Sequence, residues 1–285
     1  MKRNDTPVEE CMKRAFVLIA AVILCEGCGN NLAGPSSSSS PLRPPSNLQA
    51  LALDSAHVRL TWTAAQNAAD TSFRGYVVAW GSTADTIAKS AVQFTAGPLA
   101  RGQATFQVRS LLTSGQASDA ATITWAPAWR FDASPIVAEE FNSSLQSGTP
   151  GVSAGSATRN PAGVGFSDPS ADSTMDFYLY GPAGGPLQLL SASVYNAGWH
   201  ATFFSAQTTA AADLNTPLPA FPPDNTFALQ AVTLSDNTVY YARISGNAGE
   251  VYYCRVHIHF TGGSFPNRTA EVRISLQKVP RLPYA

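Results

Sequence analysis

The most constraining feature of this 285-residue sequence lies near its C-terminal end, where two stretches alternate apolar and polar residues with period two. In the first, Tyr252, Cys254, Val256, Ile258 and Phe260 share one face, while Tyr253, Arg255, His257 and His259 share the other. In the second, Ala270, Val272, Ile274 and Leu276 alternate with Glu271, Arg273, Ser275 and Gln277. Side chains of a strand project alternately to opposite sides, so this pattern suits a strand with one buried face and not a helix. Residues 239–245 precede the first stretch, and the intervening Gly246-Asn247-Ala248-Gly249 suits a tight reversal. The expected product is an antiparallel hairpin extended by a third strand. Its polar face should meet water, and Cys254 should act as a small buried hydrophobe.

Only 13% of the residues are charged, and 21 glycines and 20 prolines punctuate the chain, as suits many short strands joined by turns. Before the hairpin, residues 129–131 open strand-like material and 132–170 are rich in turn residues such as Gly151, Gly155, Pro161 and Gly163. Apolar runs at 175–180, 187–194 and 201–205 read as further strands, and 211–223 as a long loop. Residues 128–285 are therefore expected to form an antiparallel β-sandwich or jelly-roll-like domain.

The preceding segment, 47–127, also alternates. Val58, Leu60 and Trp62 share a face, as do Tyr76, Val78 and Trp80, and runs at 104–111 and 120–125 flank a turn around Gly115. Pro45, Leu48 and the Leu60-x-Trp62 step resemble the opening strands of a fibronectin type III domain. Gly75-Tyr76-x-Val78 is similar to its third strand, and Phe106-x-Val108-x-Ser110 with Gly115 to its sixth strand and turn. The resemblance spans about 45–127 and implies a seven-stranded Greek-key sandwich that serves as spacer or docking module. Ala104 stands where that family usually has a tyrosine bracing the neighbouring loop. The whole chain is thus expected to be all-β, a fibronectin-III-like sandwich followed by a second antiparallel one.

At the other end, Lys13 and Arg14 precede ten apolar residues, 15–24, and then Cys25-Glu26-Gly27-Cys28. This run is too short to span a bilayer, which takes about 20 residues, and it has the order of an export signal. With Gly27 before it, Cys28 resembles the lipid acceptor of a bacterial lipoprotein. That resemblance implies a signal segment of residues 1–28, cut between Gly27 and Cys28, and attachment to membrane lipid through Cys28. Gly29 in place of an aspartate implies an outer-membrane address. A second Met-Lys-Arg at Met12 offers an alternative start. Residues 29–46, with five consecutive serines from Ser36 and prolines at 35, 41, 44 and 45, have nothing to bury. They read as a linker, able to reach some ~50 Å if extended. Of the four cysteines, Cys254 alone follows Cys28, so the exported chain has no intrachain disulfide and depends on its cores.

The net charge is −1, unchanged by removing residues 1–28, and no block of like charge occurs. Nucleic acid is therefore not an expected partner. His257 and His259 on one strand face have the spacing of two metal ligands, with His200 a third candidate. No carboxylate follows within 260–264, so polar surface is the favoured reading, and neither metal nor cofactor is expected. Asp168, Asp172 and Asp176 lack the alternate spacing of a calcium loop and read as solvated acids. The adjacent Glu139 and Glu140 would point to opposite faces of a strand, and no nucleophile elbow, phosphate loop or zinc-helix motif occurs. Catalysis is not expected. Trp199 beside His200, with Phe203, Phe204 and Phe221 nearby, either contacts a ligand, as rings stack on sugars or anchor protein partners, or fills the core.

These observations lead to the expectation of a lipid-anchored, exported protein with a non-catalytic binding or structural role toward protein or glycan at the cell surface. The alternative is a carbohydrate-active enzyme or its glycan-binding accessory. Mass spectrometry of the mature protein should find a lipidated Cys28 as first residue. An unmodified first residue elsewhere would remove the tether.

Overall fold

The computed structural model describes residues 42–144, 150–168, 170–246 and 249–285. The leader with Cys28, the linker as far as Pro41, and Asn247 and Ala248 of the expected reversal lie outside the described residues. Seven strands come first: β1 (Ser46–Ala52), β2 (Val58–Thr63), β3 (Phe73–Trp80), β4 (Thr83–Ala88), β5 (Gln93–Ala96), β6 (Ala104–Leu112) and β7 (Ala121–Trp125). They form two antiparallel sheets, ordered β1-β2-β5 and β4-β3-β6-β7. The alternation places Val58, Leu60, Trp62, Tyr76 and Val78 in the space between them. The Tyr76 ring meets Trp62 at 5.5 Å and Phe73 at 5.2 Å, and its hydroxyl accepts the Ala65 N–H at 3.0 Å. Tyr76 thereby braces the loop after β2.

The second sandwich comprises β8 (Trp129–Glu139), β9 (Gly151–Ser153), β10 (Ala162–Val164), the helical turn α1 (Ala171–Thr174), β11 (Phe177–Tyr180), β12 (Gln188–Ser191), the helical turn α2 (Ala192–Tyr195), β13 (Thr202–Ala210), β14 (Phe227–Leu229), β15 (Ala231–Thr233), β16 (Thr238–Ser245), β17 (Val251–Gly262) and β18 (Thr269–Gln277). A six-stranded sheet, β14-β13-β16-β17-β18-β8, packs on a five-stranded one, β10-β9-β11-β12-β15. The hairpin forms as expected, with Ala242 opposite Cys254 and Thr238 opposite Ile258. Cys254 is fully buried in the core between the two sheets, and burial pushes its thiol pKa up.

Three local expectations differ from the structure. The 187–194 run leaves its strand at Ser191 and turns into α2. The 201–205 strand continues to Ala210. Strand β8 runs eight residues beyond the expected 129–131, through Pro135. Proline withholds a ladder donor, and β8 accommodates it as the outermost strand of its sheet, where its pairing with β18 is irregular between Val272 and Ile274.

The larger correction concerns the polar face of β17. Tyr253, Arg255 and His257 do not face water. They are buried, and His259 alone of the four is substantially exposed. Their cover is the 211–223 loop together with the N-terminal sandwich. Ala50 and Leu218 exchange backbone hydrogen bonds, each 2.9 Å, so the loop is stitched to β1. Leu214, Leu218 and Phe221 enter the core that also holds Leu60, Trp125, Val239 and Tyr241. The Phe221 ring stands edge-on to Tyr241 at 5.5 Å, to Tyr253 at 6.2 Å and to Trp125 at 6.5 Å. The six-stranded sheet is therefore a middle layer, buried on both sides.

Truncating a buried phenylalanine usually costs about 3–5 kcal/mol, from lost transfer energy and the cavity left behind. Phe221→Ala should lower stability by that amount in urea unfolding. A loss below about 1 kcal/mol would mean that the loop is not the connecting element.

Candidate functional site

The residues singled out at 199 and 200 lie on one turn. Asn196 closes it, its carbonyl accepting the Trp199 N–H at 2.9 Å and its side-chain oxygen the Gly198 N–H at 3.0 Å. The two neighbouring side chains then enter different surroundings. Trp199 joins a cluster of five rings with Phe141, Phe166, Tyr178 and Tyr195, gathered from four segments of the chain. Phe166 to Tyr195 measures 4.5 Å and Tyr195 to Trp199 5.3 Å. Tyr178 is buried at the base, whereas Tyr195 is 51% exposed.

His200 enters the protein and meets Asp176, with Nδ1 to Oδ1 at 2.8 Å. The other carboxylate oxygen accepts the Ala154 N–H at 2.7 Å, and the Asp176 carbonyl accepts the Thr202 hydroxyl at 2.7 Å. Asp176 thus ties β9, β11 and β13 together, and its side chain is almost fully buried. Burial raises its pKa, against the pull of His200. The pair is part of the lining of a polar recess of about 170 Å³. Ser156, Thr158, Arg159, Glu250 and Tyr252 also line it. The Tyr252 hydroxyl donates to Glu250, and Arg159 acts on Asp176 as a nearby positive charge. The recess offers donors, acceptors and charges of both signs.

The other sequence candidates lie elsewhere. His257 Nε2 donates to the Ala211 carbonyl at 3.0 Å under the loop, and burial lowers its pKa. His259 Nδ1 meets Asp236 at 3.1 Å. Among the described residues no three His, Cys, Asp or Glu side chains gather as a metal site. Asp168 accepts the Ser170 N–H and hydroxyl at 2.8 Å each, on exposed surface, apart from the buried work of Asp176. Phe204 and Phe221 fill cores, while Phe203 lies half-buried beneath the Arg243 guanidinium at 5.2 Å.

Glu140 is fully buried and forms a two-pronged ion pair with Arg268, whose Nε lies 2.8 Å from Oε2. Arg268 also donates to the Gly185 carbonyl at 2.7 Å. A methyl group added at Gly181 would sit 1.7 Å from the Arg268 guanidinium, so only glycine leaves room for the pair. This arrangement is saturated and fixes the end of β8 to the start of β18. It leaves the Trp199–His200 turn as the candidate site. Among the described residues no helix is long and apolar enough to cross a membrane. No model of a known protein family matches the chain, and no curated protein matches it.

Asp176 reads from the sequence as a solvated acid, but the structure buries it, and the rings at 141, 166, 178 and 195 carried no signal, being separated by up to 58 positions from Trp199. The Asp176 pKa lies above its unfolded value, so its protonated form favours the fold. That contribution is complete below the ordinary carboxylate range and is lost as pH rises through the raised value. His200→Ala removes the partner that opposes the rise. It should cost about 1–3 kcal/mol at neutral pH, and less in acid, where Asp176 is protonated in both proteins. An equal loss at both pH values in denaturant titrations would contradict the coupling.

Proposed function

We propose that this chain is an exported, lipid-anchored binding protein of the cell envelope whose second sandwich takes a glycan at the Trp199–His200 turn. One observation carries the reading. A single turn sends Trp199 into a partly exposed ring cluster and His200 into a polar recess, so one short segment supplies both an apolar and a hydrogen-bonding group. A sugar ring has the same two characters, a C–H face that stacks on aromatics and a rim of hydroxyls that need donors and acceptors. Arg159, Glu250, Ser156 and Thr158 supply that chemistry.

The leader and linker support export and a tether through Cys28. The seven antiparallel strands of the N-terminal sandwich support its reading as a fibronectin type III-like spacer. It holds the binding sandwich through a shared core, so the two would be presented as a unit. No metal or cofactor is needed for recognition of this kind.

A glycan array followed by calorimetry tests the proposal. Saturable binding without turnover is expected, and Trp199→Ala should weaken it several-fold, on the scale of ~1 kcal/mol for one aromatic contact. Hydrolysis of a bound glycan would overturn the non-catalytic role in favour of the carbohydrate-active enzyme. Binding that is indifferent to Trp199→Ala would move the site elsewhere.

A further inference from the structure

Strand β8 is the outermost strand of the six-stranded sheet, and β10 that of the five-stranded sheet. The ladder of β8 with β18 is interrupted. Phe131 pairs with Ile274 and Ile136 with Val272, so four residues, 132–135, stand against Arg273 alone. A surplus of this kind bends a strand and breaks its regular pairing, and it is common at sheet edges and next to active sites. Here the surplus and the residues leading into β10 enclose a pocket of about 320 Å³. Phe131, Ile136 and Pro161 give it apolar walls, and Arg130, Ser134 and Asn160 polar ones.

The charge around this pocket is one-sided. Lys278, just after β18, reaches two of the lining residues. Its Nζ donates to the Asn160 side-chain oxygen at 2.8 Å and lies 5.4 Å from the centre of the Phe131 ring. The same ammonium stands 5.9 Å from the Trp129 ring, which the Arg101 guanidinium also covers at 5.1 Å. Arg130 is neutralised by Asp132, but neither Lys278 nor Arg101 has a carboxylate within ion-pairing distance among the described residues. No Asp or Glu lines the pocket. Burial lowers the Lys278 pKa, and the positive charge of Arg101 adds to the effect, as expected of an ammonium that meets a like charge and no opposite one. An ammonium has three N–H donors, and Asn160 takes one. Asn160 turns its oxygen to Lys278 and keeps its own N–H groups as donors.

We propose that this pocket binds a small carboxylic acid, its carboxylate held by Lys278 and Asn160 and its apolar body laid against Phe131, Ile136 and Pro161. The volume is near the lower end for ligand pockets, about 300 Å³, which suits a body of one ring and not a polymer. One ammonium with neutral amide and hydroxyl donors matches a singly charged carboxylate better than a phosphate, which carries nearly two charges. The pocket shares no lining residue with the recess at the Trp199–His200 turn, although Arg159 of the recess and Asn160 of the pocket adjoin in the chain.

Titration of the full chain with benzoate, and with benzamide as its neutral isostere, followed by ligand-observed NMR, tests the proposal. Saturable benzoate binding is expected, tighter than that of benzamide. Lys278→Met keeps the apolar stem and removes the charge. It should weaken benzoate by about two- to fivefold, the scale of one partly exposed ion pair, and leave benzamide little changed. Should that variant not fold, Arg101→Gln, at an exposed position, should weaken benzoate alone by a smaller factor. Trp199→Ala should change neither ligand, which separates this pocket from the glycan site. The proposal is overturned by no saturable benzoate binding into the millimolar range, by equal affinity for acid and amide, by benzoate affinity unchanged in Lys278→Met, or by its loss in Trp199→Ala.

Discussion

A β-sheet with apolar side chains on both faces cannot rest against water on either, and the six-stranded sheet of this protein is such a sheet. One face holds Cys254, Val256 and Ile258 against the five-stranded sheet. The other presents Val239, Tyr241 and Tyr253, and these need a second cover. The 211–223 loop supplies it, with Leu214, Leu218 and Phe221 as the side chains that reach across. The N-terminal sandwich closes over the same residues. What looks from the chain order like two beads on a string is thus two sandwiches joined by one shared core.

Much of the architecture was legible because period-two alternation is a direct consequence of strand geometry. The hairpin, β18 and the paired faces of β2 and β3 follow from it. Alternation says which residues share a face, but not what lies opposite that face. Tyr253, Arg255 and His257 read as solvated because they are polar, yet the loop that covers them sits some forty residues upstream. The short strands β9, β10, β14 and β15 left little trace, since three residues are too few to establish a period. Pro135 concealed most of β8, because its tolerance depends on an edge position that only the assembled sheet defines.

The candidate site shows the same division. Trp199 and His200 stand out as a large aromatic beside a titratable ring in turn-rich sequence, and both belong to the site. Asp176 stands out only as one of three spaced acids and reads as solvated, because nothing local in the sequence shows that the fold encloses it. The other four rings come from separate segments and meet only after β11, α2 and the preceding loops have packed. Local sequence carries the turn that separates Trp199 from His200, whereas the recess and the ring cluster are products of long-range assembly.

The glycine at 181 carries a different kind of information. The Arg268 guanidinium occupies the space that a β-carbon would take, and it is pinned there by Glu140 and the Gly185 carbonyl. Positions 140, 181 and 268 therefore form one structural unit. In any descendant of this fold a larger residue at 181 would be accompanied by loss of the arginine, and loss of the arginine by neutralisation of the glutamate. Covariation among three positions so far apart in the chain would trace this ion pair through sequences too divergent to align elsewhere.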